Sequence, residues 1–186
     1  MVYHDYKAIQ LHIGKTGGTS IEVAFGLTAK NLVKNGKHWR PRQIIAAEGQ
    51  AVWDSYFKFS FVRNPWDRLV SKYFDMRDIS KQIPADRSFE QFANLWIRKH
   101  GRWNPWDQIS WFQGRLEEFD FVGRFETLEE DFGYICTQIS AELSLPKRRS
   151  TKHEHYSVYY DDRLCKKVAK MAKADIKAFG YSFENG

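Results

Sequence analysis

Apolar positions along this chain change period several times, and the changes predict strands alternating with helices. Residues 7–13, Lys7-Ala8-Ile9-Gln10-Leu11-His12-Ile13, form a short β-rich run closed by Gly14, the signature of a buried parallel strand. Residues 18–26 read as a helix through Ile21-Glu22-Val23-Ala24-Phe25, with Gly26 as its end signal. Residues 1–6 are a polar and aromatic lead-in, and Gln43 to Glu48 forms a short helix after Pro41. The clearest strand is Ser55-Tyr56-Phe57-Lys58-Phe59-Ser60-Phe61-Val62, aromatic and partly alternating. A helix start follows at once: Asn64 as N-cap, Pro65 at N1, and Asp67 at N3, where its carboxylate can reach back. That helix runs to about Asp78, with Leu69, Val70, Tyr73 and Phe74 on one apolar face.

Ser88 caps a helix from Phe89 to about His100, and Gly101 to Gly114 is irregular and Trp-rich. Phe119 to Phe125 is a strand, and Leu128 to Leu143 a helix whose first turn carries Glu129, Glu130 and Asp131, as the helix dipole favours. Pro146 to Tyr160 is a basic loop, and Asp161 to Phe179 a long closing helix stopped by Gly180. Strands separated by helices predict an α/β fold with a central, mainly parallel sheet flanked by helices, in one domain spanning residues 1–186.

Composition narrows the function classes. At 42% hydrophobic and 28% charged the chain is globular, and its formal net charge of +6 suits an anionic ligand, nucleic acid or a membrane surface. Cys136 and Cys165 lie in no C-x-x-C or C-x-x-H spacing, so neither a disulfide framework nor a structural zinc site is expected. His153 and His155 have no third ligand in register, and no metal is expected there. The chain has no secretory h-region and no apolar run of 18 residues, so the expectation is a soluble, cytoplasmic protein without stable membrane insertion.

Two constellations carry chemistry. The first is His12-Ile13-Gly14-Lys15-Thr16-Gly17-Gly18-Thr19-Ser20, a Gly-rich turn between strand and helix. Its backbone N–H groups can converge on an oxyanion, Lys15 adds a full charge, and Thr16, Thr19 and Ser20 add hydroxyl donors. It is not a Walker A loop, because Lys15 precedes Gly17 and Gly18 instead of following the last glycine. The second is Phe61-Val62-Arg63-Asn64-Pro65-Trp66-Asp67-Arg68-Leu69-Val70-Ser71-Lys72-Tyr73. Arg63 ends a strand and Ser71 lies two turns into the next helix, an arrangement able to take a second phosphate. Lys15 and Arg63 both fall at carboxyl ends of strands, where open α/β sheets bind ligands. Arg68 and Lys72 read as solvated helix charges.

The loop His12–Ser20 and the segment Phe59–Tyr73 resemble the carbohydrate sulfotransferases that use 3′-phosphoadenosine 5′-phosphosulfate, a group including heparan sulfate O-sulfotransferases and smaller bacterial relatives. The stretch Asp120–Phe132 and the ending from Tyr159 to Phe183 are similar to the bacterial relatives, so the resemblance spans nearly the whole chain. One departure is Gly14, where the family usually has Pro.

The resemblance implies a P-loop NTPase-like sandwich. Lys15, Thr16, Gly17, Gly18, Thr19 and Ser20 would hold the phosphosulfate end of the donor, and Arg63 and Ser71 its 3′-phosphate. The late basic loop, through Ser150 and Lys152, would close over the 3′-phosphate and adenine. The family's catalytic His lies after the first helix, which selects His38 as general base, with Lys15 stabilising charge on the bridging oxygen.

The implied acceptor is a glycan or other hydroxyl-bearing molecule. Trp39, Arg40, Arg42, Trp103, Trp106 and Trp111 are candidates for its surface, each equally readable as core. A nucleoside or sugar kinase is the competing enzyme class, but it needs Walker order and a metal-holding acid. A nucleic-acid module would need a continuous basic stripe, which Glu117, Glu118, Glu129, Glu130 and Asp131 interrupt, so no nucleic-acid partner is expected.

Overall fold

The computed structural model describes residues 1–27, 38–100, 106–146 and 153–184. Its helices, among the described residues, are α1 (Gly18–Ala24), α2 (Pro41–Glu48), α3 (Gln50–Ser55), α4 (Pro65–Phe74), α5 (Phe89–His100), α6 (Leu128–Gln138), α7 (Asp162–Met171) and α8 (Lys173–Phe179). The chain forms two compact units, Met1–Arg63 with Ser110–Arg148, and Asn64–Ile109 with Arg149–Gly186. Each is assembled from two separated stretches of chain, so neither could be released by a single cut.

The first unit contains the sheet, with strands β1 (Val2–Tyr3), β2 (Ala8–Leu11), β3 (Phe57–Val62) and β4 (Phe121–Arg124) side by side in that order. β2 and β3 pair in parallel, Leu11 opposite Ser60, and so do β3 and β4, Ser60 opposite Val122. β1 is antiparallel to β2. This is the expected mainly parallel α/β arrangement.

Side-chain alternation sorts the strand residues onto two faces. Ala8, Phe59 and Phe61 join Ile21 and Phe25 of the α1 region and Phe132 and Ile135 of α6. Ile9 joins Ile44 of α2 and Trp53 of α3. Burying one such aromatic or branched side chain stabilises the fold by about 1.5–3 kcal/mol, so these two clusters hold the sheet between its helices.

Three sequence expectations are corrected in this unit. β1 lies inside the lead-in and is too short to show a period. α3 precedes the strand that was expected to open at Ser55, and it is set off from α2 by Gly49 at φ 89°. α6 stops at Gln138 instead of Leu143, because Ser140 turns left-handed at φ 52° and the Ala141 N–H closes back on Cys136 O at 2.9 Å.

The second unit packs α4, α5 and α7 around Leu69, Val70, Tyr73, Phe92, Leu164 and Val168. Asn64 accepts from the Trp66 N–H at 3.1 Å, the expected N-cap. Ser88 and Gln91 exchange reciprocal side-chain bonds with each other's backbone N–H at 3.2 Å, a full capping box at the start of α5. α4 passes into a π-helical turn, Asp75–Ile79, and the closing helix breaks at Ala172 into α7 and α8.

Arg68 is not a solvated charge: it is 1% exposed, stacked 3.8 Å over the Trp106 ring and donating to Trp106 O at 2.5 Å. The buried Asp175 carboxylate accepts from the Gln108 and Ile109 N–H groups, each at 2.9 Å. Burial pushes the Asp175 pKa up, and the Arg68 charge is among the influences that oppose the rise. Desolvating Arg68 is tolerable because an aromatic face and a carbonyl replace its water. Among the described residues, no helix is long and apolar enough to cross a membrane.

Candidate functional site

The Gly-rich turn leaves the carboxyl end of β2 and enters α1. Lys15 and Gly17 both sit in the left-handed region, at φ 70° and 82°. Gly17 adopts it freely, whereas Lys15 is a non-glycine residue held in a sparsely populated conformation. A Cβ on Gly17 would also lie 2.8 Å from Leu128 Cδ2. One on Gly18 would fall 2.5 Å from His12 Nε2 and 2.8 Å from its Cγ, closer than real Cβ contacts come. The turn is therefore wedged between the His12 ring and the start of α6, and only glycines fit.

Thr16 is 1% exposed and its hydroxyl donates to Ile13 O at 2.8 Å, closing the turn on itself. Gly14, Lys15, Thr19 and Ser20 are half-buried around the same turn.

Arg63, directly after β3, is brought to this loop. It is 6% exposed, donates through Nη1 to Lys15 O at 3.3 Å, and lies 3.8 Å over the Phe125 ring. The two cations expected at strand ends are thus neighbours on adjacent parallel strands. Ser71 is buried in α4, in the second unit. Ser150 and Lys152 lie outside the described residues, as does Trp103.

His38 stands exposed beside the loop, with Nδ1 3.1 Å from His12 O. A carbonyl can only accept, so Nδ1 carries the proton and Nε2 of the neutral ring keeps its lone pair. That is the tautomer a general base needs at Nε2. The His38 ring lies 4.6 Å from the His12 ring and 5.9 Å, edge on, from Trp111, and the Arg40 guanidinium lies 5.0 Å over Trp111. Trp39 packs against the Ile9–Ile44–Trp53 cluster, Arg42 is exposed, and Trp106 belongs to the second unit with Arg68. Of the aromatic candidates among the described residues, Trp111 is the one whose ring packs against His38.

The residue sequence reasoning missed is Glu22. It is 0% exposed, and its Oε1 is 2.5 Å from Nδ1 of His12, itself 4% exposed. The available signal was an acid standing alone in the apolar run Ile21–Phe25, one helical turn after Gly18. Among the described residues, no group of three or more His, Cys, Asp or Glu could hold a metal ion.

The sequence model of the sulfotransferase family matches residues 1–182. Human carbohydrate sulfotransferase 9 is 29% identical over 177 residues, covering 78% of this chain and 39% of that protein. Zebrafish (Danio rerio) carbohydrate sulfotransferase 14 is 26% identical over 167 residues, covering 70% of this chain and 45% of that protein. An uncharacterized protein of Archaeoglobus fulgidus is 29% identical over 110 residues, covering 55% of this chain and 83% of its own length. The chain thus spans less than half the length of these two carbohydrate sulfotransferases. No solved structure matches it significantly.

Proposed function

Because this chain belongs to the sulfotransferase family, we propose that it transfers a sulfuryl group from 3′-phosphoadenosine 5′-phosphosulfate to a hydroxyl of a carbohydrate acceptor. The observation that carries the reading is His38, held through Nδ1 on the His12 carbonyl with Nε2 basic, beside the loop that contains Lys15. The donor, when bound, supplies the sulfuryl group and the nucleotide that leaves.

The residues present suit such a donor. Lys15 is kept in a left-handed turn, Thr19 and Ser20 flank it, and Arg63 lies against the Lys15 carbonyl. In this reading the loop holds the phosphosulfate end. Arg63 turns its guanidinium to the 3′-phosphate, with Ser71, Ser150 and Lys152 as the further contacts. Lys15 stabilises negative charge on the bridging oxygen as the bond to sulfur breaks. His38 Nε2 takes the acceptor hydroxyl proton, and most of the acceleration comes from positioning the reactants and from charge stabilisation.

The carbohydrate acceptor is supported by what the relatives are named for, and by the Arg40–Trp111 stack flanking His38, since an aromatic face suits a sugar ring. The parallel β2–loop–α1–β3 arrangement supports a P-loop NTPase-like sandwich, and the family match over residues 1–182 supports reading the chain as one sulfotransferase domain. Lys15 ahead of the glycines argues against a kinase.

The test is incubation with radiolabelled donor and a panel of glycans, small phenols and lipids, without added metal. Transfer of label to a glycan is expected, together with a rise in melting temperature on adding 3′-phosphoadenosine 5′-phosphate. The proposal fails if no acceptor is labelled and the nucleotide leaves the melting temperature unchanged.

A further inference from the structure

The geometry points to His12 and Glu22 as a positioning pair that sets the distance between the anion loop and His38, an inference that rests on the reading of His38 as base. The pair touches neither the acceptor nor the donor in that reading, yet it contacts both Gly18 of the loop and His38. Glu22 lies on α1 four residues after Gly18, so both fall on the same helix face, one turn apart. Its carboxylate holds the His12 imidazole through Nδ1 at 2.5 Å. The ring so held lies against Gly18, where even a methyl group would collide with Nε2 and Cγ. The His12 ring also packs 4.6 Å from His38, and the His12 carbonyl fixes the His38 tautomer. One residue thus fixes two separations, from loop to ring and from ring to base.

Fold stability alone does not require this chemistry. A buried imidazole and carboxylate both lose hydration, and well-packed apolar residues of similar size stabilise an interior as well or better. What an apolar pair lacks is direction: a hydrogen bond at 2.5 Å fixes the rotation of the ring, and with it the surface offered to Gly18 and His38.

Three substitutions at Glu22 separate positioning from stability. Glu22→Gln keeps an acceptor at the same reach, Glu22→Asp keeps the charge but withdraws it by one methylene, and Glu22→Met keeps the bulk and removes the acceptor. Each is followed by melting temperature, by the ¹⁵N shifts of the His38 ring nitrogens, by affinity for 3′-phosphoadenosine 5′-phosphate, and by kcat with labelled donor and a labelled glycan.

For Glu22→Met we expect kcat per folded molecule to fall about 10- to 100-fold, the scale of a small misplacement of a reacting group. The His38 nitrogens should move from the Nδ1–H pattern toward a mixture of tautomers. Glu22→Asp should show the same changes to a smaller extent, and Glu22→Gln should restore both readouts to near the parent. Should Glu22→Met fail to fold, Glu22→Asp supplies the comparison. The inference is overturned if the folded Met or Asp variant keeps the parent's His38 shifts and kcat and loses only thermal stability. Failure of the parent protein to bind the nucleotide would instead refute the sulfotransferase reading, and the His38 shifts would still judge the pair.

Discussion

Replacing Gly18 with alanine tests the packing of the Gly-rich turn with a single methyl group. The new Cβ would lie 2.5 Å from Nε2 and 2.8 Å from Cγ of His12. Contacts below 3.0 Å do not persist, so either the loop or the ring must move. The ring is poorly able to yield, being 4% exposed and bonded to a carboxylate that is 0% exposed. Overpacking of this kind typically costs about 1–3 kcal/mol. In a domain of this size each kcal/mol lowers Tm by roughly 2–4 °C, which gives a fall of about 2–12 °C. Gly14→Ala is the matched control, since nothing lies within 4 Å of its added Cβ, and it should stay within about 0.5 kcal/mol of the parent. Thermal melts of both variants, with titration of 3′-phosphoadenosine 5′-phosphate, make the comparison. Gly18→Ala should lose stability and nucleotide affinity together. A neutral Gly18→Ala beside a destabilised Gly14→Ala would refute the wedged-loop argument.

Other substitutions probe separate parts of the structure. Lys15→Gly relieves the left-handed strain at φ 70°, so stability should hold or rise by up to about 1 kcal/mol while sulfuryl transfer is lost; a clear drop in Tm would show that the conformation is not strained. Arg63→Ala removes the charge-assisted contact proposed for the 3′-phosphate, of a kind worth about 1.5–3 kcal/mol, so calorimetry should find nucleotide affinity about 10- to 100-fold weaker. Lysine at position 63 should not restore it, because the guanidinium plane over Phe125 is lost; unchanged affinity in Arg63→Ala would remove this residue from the site. Asp175 carries a pKa raised above the ordinary 3.8 by burial. Below that value both folded and unfolded states hold the proton, and from there up to the raised value the folded state holds it more firmly. Rising pH across that window therefore lowers the stability of the parent relative to Asp175→Asn, and a rise instead would contradict the assignment.

The sequence displayed the parts of this protein whose signals are local. Gly14 to Ser20 between a strand and a helix, the Asn64-Pro65 helix start and the aromatic alternation of Phe57, Phe59 and Phe61 are all short-range patterns, and each was found where it was read. What stayed hidden depends on distant chain segments. Arg68 reads as a surface charge until Trp106 covers it. Glu22 reads as the polar side of a short helix until the fold sets it against His12, ten positions earlier. The Thr16 hydroxyl reads as a ligand donor, and its bond to Ile13 O three residues back is visible only in the folded turn. Resemblance selects His38; its tautomer, the chemically decisive property, depends on a carbonyl that only the folded chain brings within 3.1 Å.

That tautomer leads to the most direct test of the site. His38→Ala removes Nε2, while the His12–Glu22 pair and the Lys15 turn remain as they are. Radiolabelled sulfuryl transfer and binding of 3′-phosphoadenosine 5′-phosphate should be measured on the same preparation. Loss of transfer by about 100-fold or more, the general-base contribution, with nucleotide affinity within about threefold of the parent, is the expected result. Transfer at the parental rate by His38→Ala would contradict the assignment of His38 as the base and, with it, the mechanism built on this site.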